Sequence, residues 1–156
     1  MDQKQIIDRF IGKYSFLNNF YQSSIWFEGK QYKTCEHAYQ ASKTLDIKLR
    51  EIIQRAQSPL EAKKLGQSLH VREDWEEIKI DIMRFLIKEK FTNPFLRHLL
   101  LSTGDTDLVM NNLWNEKFWG ICRGTGQNWL GKILMETREH LKKEVENEDI
   151  QFSSVI

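Results

Sequence analysis

Thr34-Cys35-Glu36-His37-Ala38-Tyr39-Gln40-Ala41-Ser42-Lys43 is the stretch around which the chain is organised. Thr34 is a helix-capping residue type, and Glu36 then falls in the first helical turn, where the helix dipole favours a negative charge. Glu36, Gln40 and Lys43 recur at i, i+4 and i+7 and so share one stripe. Ala38 and Ala41 lie on another side and are small enough for close packing. A carboxylate, an amide and an amine in one row can hold a polar ligand and move a proton on it. The same spacing also describes a solvated face with a Glu-to-Lys charge pattern, and on spacing alone that is the commoner case.

Upstream, Ile25-Trp26-Phe27 and Gln31-Tyr32-Lys33 flank Glu28-Gly29-Lys30, which predicts a short hairpin with Gly29 in the turn. Residues 14–20 mix aromatics with two amides and read as an ordered loop. Downstream, Asp46 predicts a helix to about Ala56 with Leu49, Ile52 and Ile53 on its buried face. Ser58-Pro59-Leu60-Glu61 is a helix start with Pro at the first position, and Gly66 is expected near that helix's end. From Asp74, the residues Trp75, Ile78, Ile82, Phe85 and Leu86 repeat at helical spacing to roughly Phe91. Asn93-Pro94 opens another helix, Phe95 to Leu101, closed near Gly104. Asp107–Met110 reads as an extended segment, and residues 111–128 as a long irregular segment without periodicity. The final helix is expected from about Trp129 to Val145, burying Leu130, Ile133, Leu134, Leu141 and Val145. The fold class is therefore α+β, mostly α-helical: one compact domain with a few short strands. The expected divisions are an N-terminal segment 1–13, the domain 14–145 and a fraying tail 146–156.

The chain has 156 residues, 40% hydrophobic and 29% charged, with a net charge of +1. These are ordinary values for a globular domain and give no overall charge to draw it to nucleic acid or a membrane. No apolar run reaches the length of a membrane span, and Met1–Gln5 is not the start of a signal peptide. Two cysteines, Cys35 and Cys122, are too few for a disulfide framework and point to a reducing, cytoplasmic setting. Neither has a histidine in a base position, so both read as inert. His37, His70, His98 and His140 lack ligand spacing, and no metal or other cofactor is expected.

Five tryptophans are the unusual entry in the composition, and three of them lie between positions 114 and 129. An irregular segment this long is uncommon unless it is functional or disordered, and its aromatics argue against disorder. Glu116 sits between Trp114 and Trp119, where indole faces suit a flat heterocycle and a carboxylate could reach the bond joining it to a sugar. Plain core packing with a solvated Glu116 is an equally good reading. Asn18, Asn19, Asn112 and Asn128 can bond ring edges, though each alone is more often a turn former. Gly124-Thr125-Gly126 is too bare to identify a phosphate loop.

From about Tyr14 to Leu141 the chain resembles the NADAR family, the YbiA-like N-glycosidases. The matching motifs are Phe16-Leu17-Asn18-Asn19-Phe20, Gly29-Lys30, Glu36-His37-Ala38-Tyr39-Gln40-Ala41-Ser42-Lys43, and Ser58-Pro59 with Ala62 and Gly66. They continue through Trp75, Met83, Lys90-Phe91, Leu99 to Asp105, Trp119-Gly120, Asn128 with Leu130-Gly131, and Leu134-Met135-Glu136 with Arg138. The resemblance implies a mostly helical α+β hydrolase of N-glycosidic bonds, acting on a small nucleotide-like molecule or on ADP-ribosylated guanine in nucleic acid. Known members act on phosphorylated ribosylamino-pyrimidines of riboflavin synthesis, and others remove ADP-ribose from guanine bases. It points to Glu36 and Glu116 as catalytic carboxylates. Gln40, Lys43 and Arg138 are expected on ribose hydroxyls or phosphate, Trp119 and Phe20 on the base, and Phe16, Asn19, Gly120 and Asn128 around the ligand. Two positions depart from the pattern: Met110 stands where the family usually has Glu, and Glu116 where it usually has Asp. Met110 keeps open a different class, a non-catalytic module that binds ADP-ribose or a nucleotide.

Overall fold

The computed structural model describes residues 3–155. Met1, Asp2 and Ile156, which end the predicted first and last segments, lie outside the described residues. The architecture is α+β and mostly helical, as predicted. Its residues group into two units: Ile11–Thr92, and the residues up to Phe10 together with those from Asn93 onward.

In the unit Ile11–Thr92, the stretch read as a loop begins with a 3-10 helix, Gly12–Leu17, which buries Phe16 and Leu17. Strands β1 (Ile25–Phe27) and β2 (Lys30–Tyr32) form the predicted hairpin, registered Ile25↔Tyr32 and Phe27↔Lys30. Glu28 and Gly29 both take positive φ, 47° and 77°, which matches the tight turn that twisted strands prefer. Helix α1 (Cys35–Ser42) follows, with the Thr34 hydroxyl accepting from the His37 N–H. All eight of its residues are buried, so the solvated-face alternative does not hold. Cys35, Ala38 and Ala41 are fully covered, and side chains this small let neighbouring helices approach on several sides.

Helix α2 (Ile47–Gln54) is capped by Asp46, which accepts from the N–H groups of Lys48 and Leu49. Its predicted buried face is wrong in two of three positions. Ile53 is covered, but Leu49 and Ile52 are exposed, because this short helix turns only one edge inward. Helix α3 (Pro59–Gln67) starts at Ser58 with Pro59 at the first position, and Glu61 accepts from the Gln57 N–H at 2.6 Å. Gly66 lies near the end of this helix, as expected, within its last turn. Helix α4 (Trp75–Lys90) buries Trp75, Met83, Leu86, Ile87 and Lys90. The expected stripe through Ile78, Ile82 and Phe85 is thus rotated. Phe85 is largely exposed and leans on Phe27, its ring centroid 5.7 Å away.

In the second unit, α5 (Pro94–Ser102) is capped by Asn93 and closed by Gly104, whose positive φ ends the helix. Strand β3 (Ile6–Ile7) pairs in parallel with β4 (Asp107–Leu108), a pairing that the sequence did not signal. The segment read as irregular contains a three-stranded sheet. Its strands are β5 (Asn111–Asn112), β6 (Ile121–Cys122) and β7 (Thr125–Gly126), with β5–β6 parallel and β6–β7 antiparallel. Two-residue strands carry no periodicity to read. Helix α6 (Trp129–Ser153) buries Leu130, Gly131, Ile133, Leu134, Arg138 and Leu141. It continues through the tail expected to fray after Glu146, with exposed side chains, and Val145 is only half-buried. Among the described residues no helix is long and apolar enough to cross a membrane.

Candidate active site

Glu36 sits at the second position of α1, 8% exposed, in the turn where backbone N–H groups and the helix dipole favour a carboxylate. Gln40, one turn on, donates from Nε2 to Glu36 Oε1 at 2.7 Å. The predicted i, i+4 pair is therefore a buried, charge-assisted hydrogen bond that orients the carboxylate. The backbone of Glu36 is held as well, its N–H donating to the Asn19 carbonyl at 3.1 Å. Asn19 is buried, and its Nδ2 lies 3.4 Å from Met83 Sδ while its Oδ1 has no hydrogen-bond partner within the protein.

A second anchor of this loop is Lys90, which sequence reasoning did not select as a site residue. It is 1% exposed and donates from Nζ to the Asn18 carbonyl at 2.9 Å. The Tyr21 ring lies 5.5 Å from its Nζ. Burial brings its pKa down from 10.5 to about 8, a shift that the neighbouring Cys35 partly opposes. Burial pushes the Cys35 thiol up to about 11, which keeps it protonated and fits the inert reading. The signal for Lys90 was its place seven residues after Met83, on the same face of α4.

His37 fixes the start of α1. Its Nδ1 is 2.8 Å from Thr34 Oγ1 and its Nε2 is 3.1 Å from the Ala56 carbonyl, the connection between α2 and α3. Burial holds its pKa below the usual histidine range. Lys43, at the end of α1, places Nζ 5.4 Å from the Tyr39 ring centroid, and Tyr39 packs on Trp75 at 5.2 Å. Phe20, beside Asn19, is 37% exposed and keeps an open face. Phe16, expected at the ligand, is instead a core residue, edge-to-face on Phe91 at 6.5 Å.

In the other unit, Glu116 directs its carboxylate into its own loop. Its Oε1 accepts from the N–H groups of Phe118 at 2.8 Å and Trp119 at 2.9 Å. Asn112 completes the arrangement, accepting from the Glu116 N–H at 2.9 Å and donating to the Glu116 carbonyl at 2.7 Å. The two flanking tryptophans differ: Trp114 is largely exposed, while Trp119 is half-buried and edge-to-face on Phe118 at 4.8 Å. A side chain at Gly120 would collide with the Met110 carbonyl, so this glycine serves chain packing. Asn128 is likewise committed to backbone. Its Oδ1 accepts from the Met110 N–H at 3.0 Å and its Nδ2 donates to the Leu108 carbonyl at 3.0 Å. Arg138 is buried on α6, with Nη1 donating to Thr103 Oγ1 at 2.8 Å and Nε without a partner within the protein. Burial lowers its pKa, opposed by Glu139, Asp105 and Asp107. Among the described residues no three His, Cys, Asp or Glu side chains gather as a metal-ion site.

Comparison with known proteins connects these residues to a family. The chain is 41% identical over 132 residues to N-glycosidase YbiA of Escherichia coli, covering 82% of each chain. An N-glycosidase of Nostoc punctiforme is 36% identical over 136 residues, covering 83% of this chain and 86% of its own. A riboflavin biosynthesis protein of Vibrio vulnificus is 40% identical over 143 residues, and the match spans 39% of that longer protein. The solution structure of E. coli YbiA superposes with a TM-score of 0.80 at 39% identity, over 92% of this chain and 89% of that one. The NADAR domain model matches residues 8–142, so the chain belongs to the NADAR domain family.

Proposed function

We propose that this N-glycosidase cleaves the C1–N bond between a ribose and a nitrogen heterocycle, with a phosphorylated ribosylamino-pyrimidine as the preferred substrate. The relatives named for riboflavin biosynthesis support that substrate class. ADP-ribose joined to a guanine base has the same bond and is the second substrate to test. The observation that carries the proposal is the Glu36 carboxylate, buried at a helix start and oriented by Gln40.

Breaking the bond builds positive charge on C1 and its ring oxygen, which a fixed carboxylate in a water-poor site stabilises. Glu36 takes that role and orients the attacking water. The water oxygen bonds to C1 and gives up one proton, and the C1–N electron pair leaves with the nitrogen, which takes up one proton, so that the elements of water are divided between sugar and base. Phe20 offers a ring face for the base, and Lys43 a point charge for phosphate. Glu116, expected as the second carboxylate, is assigned instead to holding the Trp119 loop, because its Oε1 already receives two backbone N–H groups. The test is incubation with a ribosylamino-uracil phosphate and, separately, an ADP-ribosylated guanine nucleotide, following the free base by chromatography. Release from the first confirms the preferred substrate. Release from the second alone moves the assignment to ADP-ribose, and release from neither refutes the proposal.

A further inference from the structure

Gly66 lies inside α3 with ordinary helical backbone, at neither a turn nor a left-handed cap. A glycine there destabilises a helix relative to alanine, so its place needs a packing reason. That reason is Gln40. A Cβ at position 66 would overlap Gln40 Oε1 and lie 2.7 Å from its Cδ and 2.9 Å from its Cβ. The Oε1 atom is buried without a hydrogen-bond partner, against the bare Cα of Gly66. The two ends of an amide are coplanar, so seating the oxygen there aims the Nε2 donor at Glu36, 2.7 Å away. Turning the amide over would set its oxygen against the carboxylate and its N–H against carbon.

We infer that Gly66 is a positioning residue for the reaction, acting through Gln40 on the Glu36 carboxylate. This rests on the reading that Glu36 acts at the glycosidic carbon. An alanine at 66 pushes hardest on the far end of the Gln40 side chain, and its 2.9 Å approach to Gln40 Cβ, which no rotamer change relieves, also makes α1 and α3 give by a few tenths of an ångström. The Gln40 amide swings aside and the small Cβ–Cβ shift is offset in part by a better helix former at 66, so the fold survives at some cost while the orientation of Glu36 does not.

The experiment compares Gly66→Ala, Gln40→Ala and the double variant, with release of the aminouracil base from the ribosylamino-uracil phosphate and thermal melts. Gly66→Ala is expected to stay folded and melt moderately below wild type, with kcat down about tenfold to a hundredfold, the worth of one hydrogen bond to a charged group, and KM little changed. Gln40→Ala should match it, and adding Ala at 66 should cause no further loss. An NMR readout independent of turnover is the Gln40 side-chain amide resonance, which should move from its wild-type position in Gly66→Ala. Wild-type kcat in Gly66→Ala, losses that multiply in the double variant, an unmoved resonance or a collapsed melt would each overturn the inference. Failure of the parent reading looks different: Glu36→Gln would turn over normally in the same assay.

Discussion

Replacing Lys90 by methionine removes a charge that is 1% exposed and keeps an unbranched side chain that fills the same space. Burial lowers the lysine pKa from 10.5 to about 8, so the fold disfavours its charged form by about 3 kcal/mol. The folded chain releases this proton near pH 8 and the unfolded chain near pH 10.5. Between those values the unfolded state binds more protons, and stability rises with pH. Below about pH 8 both states are charged and the whole penalty applies. Methionine escapes it but leaves the Asn18 carbonyl without its donor, which costs about 1–3 kcal/mol. The net expectation at pH 7 is a variant between unchanged and about 2 kcal/mol more stable. Turnover should nonetheless fall, because Asn18 adjoins the Asn19 carbonyl that holds the Glu36 backbone. Urea unfolding of both chains from pH 7 to pH 10.5, beside turnover at pH 7, reads both effects. Wild type should gain on the variant as pH rises. A variant clearly less stable at pH 7, with the same pH dependence as wild type, would refute the reasoning and make the ammonium a stabilising group.

Glu36→Gln keeps the shape but not the charge, and should lower kcat by a few kcal/mol of barrier with the melt intact. Wild-type rates in the folded variant would remove Glu36 from the mechanism. His37 has a lowered folded pKa, so its neutral form stabilises the fold above the unfolded value of 6.5. That stability is lost on acidification, as the unfolded chain takes up the proton first. Melts from pH 7 to pH 4.5 should fall less steeply in His37→Gln than in wild type, and equal slopes would discard the idea. Trp75→Ala, emptying a buried site beside Tyr39, should cost about 3–5 kcal/mol of stability. Trp119→Ala leaves the backbone bonds to Glu116 in place and should instead weaken ligand binding by about 1–3 kcal/mol. Melts with and without the ribosylamino-uracil phosphate separate the two, and equal destabilisation would make Trp119 a core residue.

Helix starts were legible because capping is local chemistry. Thr34, Asp46, Ser58-Pro59 and Asn93-Pro94 each accept the N–H groups their spacing promised. The Glu36–Gln40 pair was legible for the same reason, since i, i+4 neighbours meet on any helix. Which face a helix buries is a tertiary matter. Leu49 and Ile52 look like core and are exposed, whereas Lys90 looks like surface and is covered. The direction of the Glu116 carboxylate was not legible, because it depends on the backbone turn that presents the Phe118 and Trp119 N–H groups to Oε1. Asn115 before it takes φ 67°, which brings the following N–H groups round to Oε1. Gly66 was placed near a helix end correctly, but only the position of Gln40 shows why no side chain fits there.

Met110 is where the chain departs most from the family pattern, and its surroundings show why that departure is tolerated. The backbone of residue 110 makes the structural bonds: its N–H donates to Asn128 Oδ1 at 3.0 Å and its carbonyl accepts from the Ile121 N–H at 2.9 Å. Any residue other than proline supplies both groups. The half-buried side chain is therefore not what builds the β5–β6 sheet or seats Asn128. A carboxylate can thus be lost at 110 without removing the backbone bonds that join β5 to β6 and seat Asn128. What changes is the local charge and polarity a ligand would meet at that position.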